Sequence, residues 1–168
     1  MTKTLLELGA SSAQADTKQT TALYYISTAK PELLDTLVEF DEPAVKRAIN
    51  HLAVSGKSWY PSTSSPLMSA ISKRNGLAAL KLLETGAATQ IDFKDWLKSV
   101  ETQSDVADNH FKPDHNKEKF VRDVEQPIVL AIQNELPEVA SQLLELGADP
   151  NTIPKETSQA LENKWYGS

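Results

Sequence analysis

Apolar residues recur along this chain in two short phases separated by a polar break. Leu67, Ala70 and Ile71 lie at helical spacing, then Lys73, Arg74 and Asn75 interrupt, then Leu80, Leu82 and Leu83 resume it. The stretch 65–87 aligns without a gap on 126–148, matching Pro66 with Pro127, Leu67 with Ile128, and Ala70 with Ala131. Leu82 and Leu83 likewise match Leu143 and Leu144. Both stretches close on a glycine, Gly86 in "LLETGA" and Gly147 in "LLELGA", and the phrase also stands at 4–10 as "TLLELGA", ending at Gly9 and Ala10. Each unit therefore predicts a helical hairpin. Proline suits the first turn, where its missing N–H costs nothing. Glycine suits the residue after the last turn, where a left-handed conformation closes the helix. A hairpin with one apolar face must bury it against neighbours, so Leu83 and Leu144 are expected in equivalent buried positions between stacked units.

A third, looser unit precedes these. Leu23 in "TTALYYIS" takes the place of Leu67, and Leu37 with Val38 takes the place of the paired leucines. On these residues the chain resembles the ankyrin-repeat family, whose unit runs about 33 residues with a T-P-L-H-x-A opening. "SPLMSA" and "QPIVLA" are similar to that opening, "LLELGADPN" to the closing phrase, and "ADTKQTTAL" to the turn that leads in. The opening histidine is missing: Tyr24, Met68 and Val129 stand in its place. The resemblance implies an all-α, ankyrin-like solenoid of stacked helix-turn-helix repeats. It would form a single array over 1–168, with a partial repeat at 1–10, repeats at about 11–41, 60–88 and 121–151, and the start of another at 152–168.

Two insertions interrupt the pattern, at about 42–59 and 89–120. The first predicts an extra helix with Val45, Ile49 and Leu52 on one face, then a loop carrying Trp59 and Tyr60 between Gly56 and Pro61. The second begins with "DFKDWLKSV", which puts Phe93, Trp96, Leu97 and Val100 on one helical face with Asp92 as N-cap. Its remainder, 101–120, is polar and breaker-containing and reads as a long mobile loop. "NKWYGS" at 163–168 echoes "KSWYPS" at 57–62, and the chain starts in mid-helix, so a partial array from a longer protein is expected.

Composition narrows function mainly by exclusion. The 168 residues are 40% hydrophobic and 24% charged, with a net charge of -6. That charge offers no cationic footprint for nucleic acid or an anionic membrane, and neither is expected as a partner. There are no cysteines, which removes disulfides and thiolate ligands and fits an intracellular setting, cytoplasmic or nuclear. His110, Asp114 and His115 could donate to a metal, but their spacing fits no firm helical pair, so no metal or other cofactor is expected. His51 reads as a surface histidine. "SGKS" at 55–58 lacks the upstream glycine of a phosphate loop. No nucleophile has a matching base, so no enzymatic activity is expected.

The remaining reading is a non-catalytic protein-protein interaction module, a scaffolding or regulatory part of a larger protein, monomeric in isolation and with a protein partner of unknown identity. The resemblance implies that it binds through the concave face, at the turns before each opening and just after each first helix. Carried onto this chain, the candidate contact residues are Thr17, Lys18, Tyr24, Tyr60, Met68, Ser72, Lys73, Arg74, Gln133 and Asn134. Neighbouring turn positions are Thr20 and Thr28; Pro61, Ser62 and Ser64; and Arg122, Asp123 and Glu125. The aromatic and arginine members are the natural hot-spot anchors. Two rivals stand beside this reading: a structural spacer with no ligand of its own, and an enzyme or metal site within 89–125.

Overall fold

The computed structural model describes residues 2–57, 60–103, 117, 120–121 and 124–152, with the backbone alone at 56, 57, 60, 61 and 103. In chain order the elements are α1 (Thr2–Glu7), a 3-10 helix (Ala22–Ser27), α2 (Glu32–Ala48), β1 (Ala53–Lys57) and β2 (Tyr60–Ser64). Then follow α3 (Pro66–Ser72), α4 (Gly76–Glu84), α5 (Phe93–Gln103), α6 (Pro127–Gln133) and α7 (Pro137–Glu145).

The recurrent phrases form the hairpins their residues dictate. Pro66 and Pro127 open α3 and α6. Ser65 caps α3 by accepting from Met68 N at 3.2 Å, and Asn75 caps α4 by accepting from Ala78 N at 3.0 Å. Between the helices of each pair a single residue turns left-handed, Arg74 at φ 55° and Glu135 at φ 57°. The glycine phrase ends all three helices the same way. Gly86 N donates to Leu83 O and Ala87 N to Leu82 O; Gly147 and Ala148 pair with Leu144 and Leu143, and Gly9 and Ala10 with Leu6 and Leu5. This is the two-bond closure that needs a left-handed residue after the helix, and φ at Gly86 and Gly147 is 106° and 94°.

The helices lie in two rows. The 3-10 helix, α3 and α6 pack side by side in one, and α4 packs on α7 in the other, with α1 against α2. α4 packs on α7 at Gly76, where a Cβ would meet Leu136 at 3.6 Å and Val139 at 3.9 Å, ordinary van der Waals distances. The main core runs through both rows, from Leu23, Ile26 and Leu34 through Leu67, Ile71 and Leu82 to Val139 and Leu143. A second core lies under the insertions, where Trp96 and Val100 of α5 meet Leu52, Met68, Ile91 and Val124.

The expected all-α solenoid is corrected here: the fold is mixed α/β. Residues 53–64, read as helix end and loop, form a two-stranded antiparallel ribbon with Ala53 opposite Ser64 and Gly56 opposite Pro61. Gly56 and Pro61 taken locally are breakers. In a two-stranded ribbon each strand is an edge, and a proline without an N–H is tolerated there. The expected first helix of the leading unit is a 3-10 helix, consistent with the restricted aromatic and β-branched side chains of "LYYI".

The extra helix of the first insertion does not stand apart. It is the distal half of α2, joined to the proximal half at Asp41, whose φ of -150° and ψ of 49° are not helical. The Asp41 carboxylate is held by Ser12 N at 3.2 Å and the Ser11 and Ser12 hydroxyls at 3.4 Å, and Pro43 starts the second half. Val45, Ile49 and Leu52 are buried, as their spacing predicts. So are Trp96 and Val100, and Asp92 caps α5 by accepting from Asp95 N at 2.8 Å.

Leu83 and Leu144 are not equivalent, contrary to expectation: Leu83 is 4% exposed and Leu144 46%. α7 covers the α4 layer, whereas no described element lies beyond α7. Within the segment read as mobile loop, 104–116 lies outside the described residues, but Phe120 does not behave as loop. Its ring sits 5.7 Å from that of Phe93 and 5.6 Å from that of Trp96.

Candidate functional site

The candidate surface is built where the first-row helices end. Thr28, Lys73 and Asn134 are the C-caps of the 3-10 helix, α3 and α6, so packing these helices together lines up three helix ends, of which those at Lys73 and Asn134 share one left-handed turn and that at Thr28 does not. Side chains tie one turn to the next. Lys73 Nζ donates to Ser27 Oγ at 3.0 Å, and Asn75 Nδ2 donates to Ser27 O at 3.0 Å. Around these anchors Thr28, Ser72, Lys73, Arg74, Gln133 and Glu135 are exposed, with Asn134 half-buried. Arg74 and Glu135 occupy the same left-handed turn position with opposite charge. The backbone repeats while the side chains change.

The turn before the 3-10 helix is fixed by one carboxylate. Asp16 accepts from Lys18 N and Thr20 N, each at 2.9 Å, and from the Thr20 hydroxyl at 2.9 Å. The Thr20 hydrogen bonds and then that from Lys18 hold the Asp16 carboxyl below its ordinary range, with Tyr25 Oη adding a longer contact at 3.3 Å. Thr17 and Lys18 are thereby presented at the exposed tip. Tyr25, 54% exposed, stands beside the turn and is the exposed aromatic that the sequence-derived set left out. Its signal was there in the adjacent pair Tyr24–Tyr25, of which one member faces in.

Tyr24 is the member that faces in, and it is not a contact residue on this surface. It is 6% exposed, and its hydroxyl lies 2.6 Å from His51 O, 2.6 Å from Ser64 O and 2.8 Å from Ala53 N. The hydroxyl accepts from the Ala53 N–H and donates its single proton to one of the two carbonyls. It thus bridges β1 to β2 at their paired ends, Ala53 and Ser64. Burial pushes the phenol well above its ordinary pKa of 10.0, with the Ala53 N–H a lesser, opposing influence. His51, expected on the surface, is half-buried, and its Nε2 lies 2.8 Å from Gln19 O, linking the ribbon's root to the first turn. The nearby Thr21 hydroxyl is buried with no hydrogen-bond partner among the described residues.

Met68 is likewise core, 5% exposed in the second cluster, and offers no contact surface. Both residues entered through the resemblance, which does not say which face the ribbon and α5 cover. Tyr60 ends β2 opposite Lys57, and its side chain lies outside the described residues, as does that of Pro61. Trp59, Arg122, Asp123, His110, Asp114, His115 and, of the unit expected at 152–168, residues 153–168 also lie outside them. Among the described residues, no group of three or more His, Cys, Asp or Glu is arranged to hold a metal. Among them too, no helix is long and apolar enough to cross a membrane.

Among the described residues, the surface holds charged and hydroxyl groups on a fixed edge. Such an edge can form hydrogen bonds and ion pairs with a partner chain over several units. No protein-family model matches the chain, and a comparison with curated proteins found no match.

Proposed function

We propose that this protein is a non-catalytic protein-binding module, and that its hairpins are divergent units of the ankyrin-repeat type. The carrying observation is the alignment of the C-terminal ends of the 3-10 helix, α3 and α6. It sets Ser72, Lys73, Arg74, Gln133 and Asn134 on two equivalent turns with unlike side chains, with Thr28 on the neighbouring helix end. A repeated backbone with varied side chains presents an extended surface that can be fitted to one partner. Thr17, Lys18 and Tyr25 extend it along the first turn. The partner class is a folded or extended protein segment with mixed charge, matching the cationic Lys73 and Arg74 beside the anionic Glu135. An intracellular setting, cytoplasmic or nuclear, belongs to the same proposal and rests on the absence of cysteine.

The test compares proteins cross-linked to the full chain in extracts of its source cell with those cross-linked to Lys73→Glu/Arg74→Glu. A partner lost from the double variant, and retained by Glu145→Lys on the other row, supports the assignment. Partners retained by the first and lost from the second overturn it.

A further inference from the structure

The second row of helices is not closed along its whole length. α4 and α7 meet directly at Gly76, Leu136 and Val139, but between α2 and the end of α4 lies a groove of about 450 Å³. Its position follows from the break at Asp41. The groove is lined by residues on both sides of that break, Asp35, Val38 and Glu39 before it and Glu42, Val45 and Lys46 after it. Lys81, Glu84 and Thr85 form the facing wall. Because α2 changes direction there, α4 cannot lie flush along it as α7 lies along α4. A volume of this size is within the usual range for pockets that take a few side chains, roughly 300–1,000 Å³.

The charges of the groove are unbalanced in one direction. Its four carboxylates, Asp35, Glu39, Glu42 and Glu84, face two ammonium groups, which leaves two negative charges over. Both ammonium groups are already used. Lys81 reaches across the groove to Asp35 at 2.8 Å, and Lys46 pairs with Glu42 along α2 at 2.6 Å. Among the described residues, Glu39 on one wall and Glu84 on the other make no ion pair. The surroundings are anionic enough that Asp35 first, then Glu84 and Glu32, hold the Lys81 ammonium above its ordinary pKa. Half-buried Val38 supplies an apolar spot among these charges, with Val45 beneath it in the core.

We propose that this groove is a second docking site, for an extended peptide segment of a partner protein carrying two cationic side chains around a small apolar one. The cations pair with Glu39 and Glu84 on opposite walls, and the apolar side chain covers Val38. Opposed carboxylates on fixed helices set the spacing of the two cations, and the Lys81–Asp35 pair bounds the site along the groove. The ligand class differs from that of the first-row surface, and the site rests on neither its residues nor its partner.

The experiment uses the full chain and a fluorescein-labelled peptide of alternating arginine and leucine, with a glutamine-for-arginine counterpart, read by fluorescence anisotropy. Because the whole protein is acidic, a control pair carries the same charge change elsewhere: Glu101→Lys/Glu145→Lys, both exposed. The arginine peptide should bind and the glutamine peptide should not. Glu39→Lys/Glu84→Lys should weaken binding by about tenfold or more, since removing close charge pairs acts mainly on dissociation, while the control pair changes it by about twofold or less. Equal weakening by both pairs would mean attraction to net charge alone and would overturn the site. So would binding that is unchanged in the groove variant, or a glutamine peptide that binds as well as the arginine one. The Lys73→Glu variant should leave peptide binding as it is, which keeps this outcome separate from that of the first-row surface.

Discussion

Replacing Tyr24 with Phe removes one oxygen and should disturb two elements at once. The ring is 6% exposed, so its apolar contacts are retained by Phe and the loss is confined to the hydroxyl. That hydroxyl satisfies Ala53 N at 2.8 Å and lies 2.6 Å from each of the His51 and Ser64 carbonyls. Leaving a buried donor unsatisfied costs about 1–3 kcal/mol, and each hydrogen bond lost adds a net 0.5–1.5 kcal/mol or so. A total of about 2–3 kcal/mol is expected, or roughly 4–12 °C in Tm for a chain of this size. Urea denaturation followed by circular dichroism measures the first number. Amide exchange at Ala53 and along the ribbon tests its location. The variant should also respond differently to alkali. The folded phenol is raised above its unfolded pKa of 10.0, so the unfolded chain loses the proton first. Tyr24 therefore contributes stability that is intact below pH 10 and is lost as pH rises beyond it. Wild type should lose stability faster than Tyr24→Phe above pH 10. A loss under about 0.5 kcal/mol with unchanged exchange at Ala53 would refute the clamp, since it lies below the cost of even one unsatisfied buried group.

Other substitutions test the core and the helix ends. Leu83→Ala should cost about 2–5 kcal/mol, as for a leucine buried in a well-packed core, whereas half-exposed Leu144→Ala should cost about 1 kcal/mol or less in the same urea assay. Equal losses would mean that the Leu144 face is covered as fully as the Leu83 face. Trp96→Ala should cost about 3–5 kcal/mol and abolish any change in Trp96 fluorescence on unfolding, because Trp96 joins Phe93, Phe120 and Val100 in the second core. Gly86→Ala should cost about 1–2 kcal/mol through its φ of 106° alone, as a Cβ there meets no atom within 4 Å.

What the sequence made legible were the features dictated by local chemistry. Pro66, Pro127, Gly86 and Gly147 each impose a backbone state that only certain positions in a helix accept, so they located the helix ends. Asp92, Phe93, Trp96 and Val100 likewise announced α5 through a cap and a spacing. The features that were missed depend on partners far away in the chain. The ribbon at 53–64 exists because Tyr24, some thirty residues earlier, reaches into its root; Gly56 and Pro61 taken alone read as breakers. Periodicity marked Tyr24 and Met68 as helical but could not say that the ribbon and α5 cover them. Leu83 and Leu144 have the same local sequence, and only the presence or absence of a covering layer separates them. The groove at Asp41 was invisible for the same reason: a kink between two well-formed helical stretches leaves no periodic signature.

The central claim is that the turns closing the 3-10 helix, α3 and α6 form one protein-binding edge. Its most direct test is the affinity of the cross-linked partner, once identified, for Lys73→Glu/Arg74→Glu and for Glu145→Lys. Titration calorimetry on the full chain, with circular dichroism to verify folding, gives the comparison. The account predicts a loss of about tenfold or more for the first variant and less than about twofold for the second, since charge reversal within an interface disturbs complementarity and charge reversal outside it does not. Unchanged affinity in the first variant, with a comparable loss in the second, would contradict it.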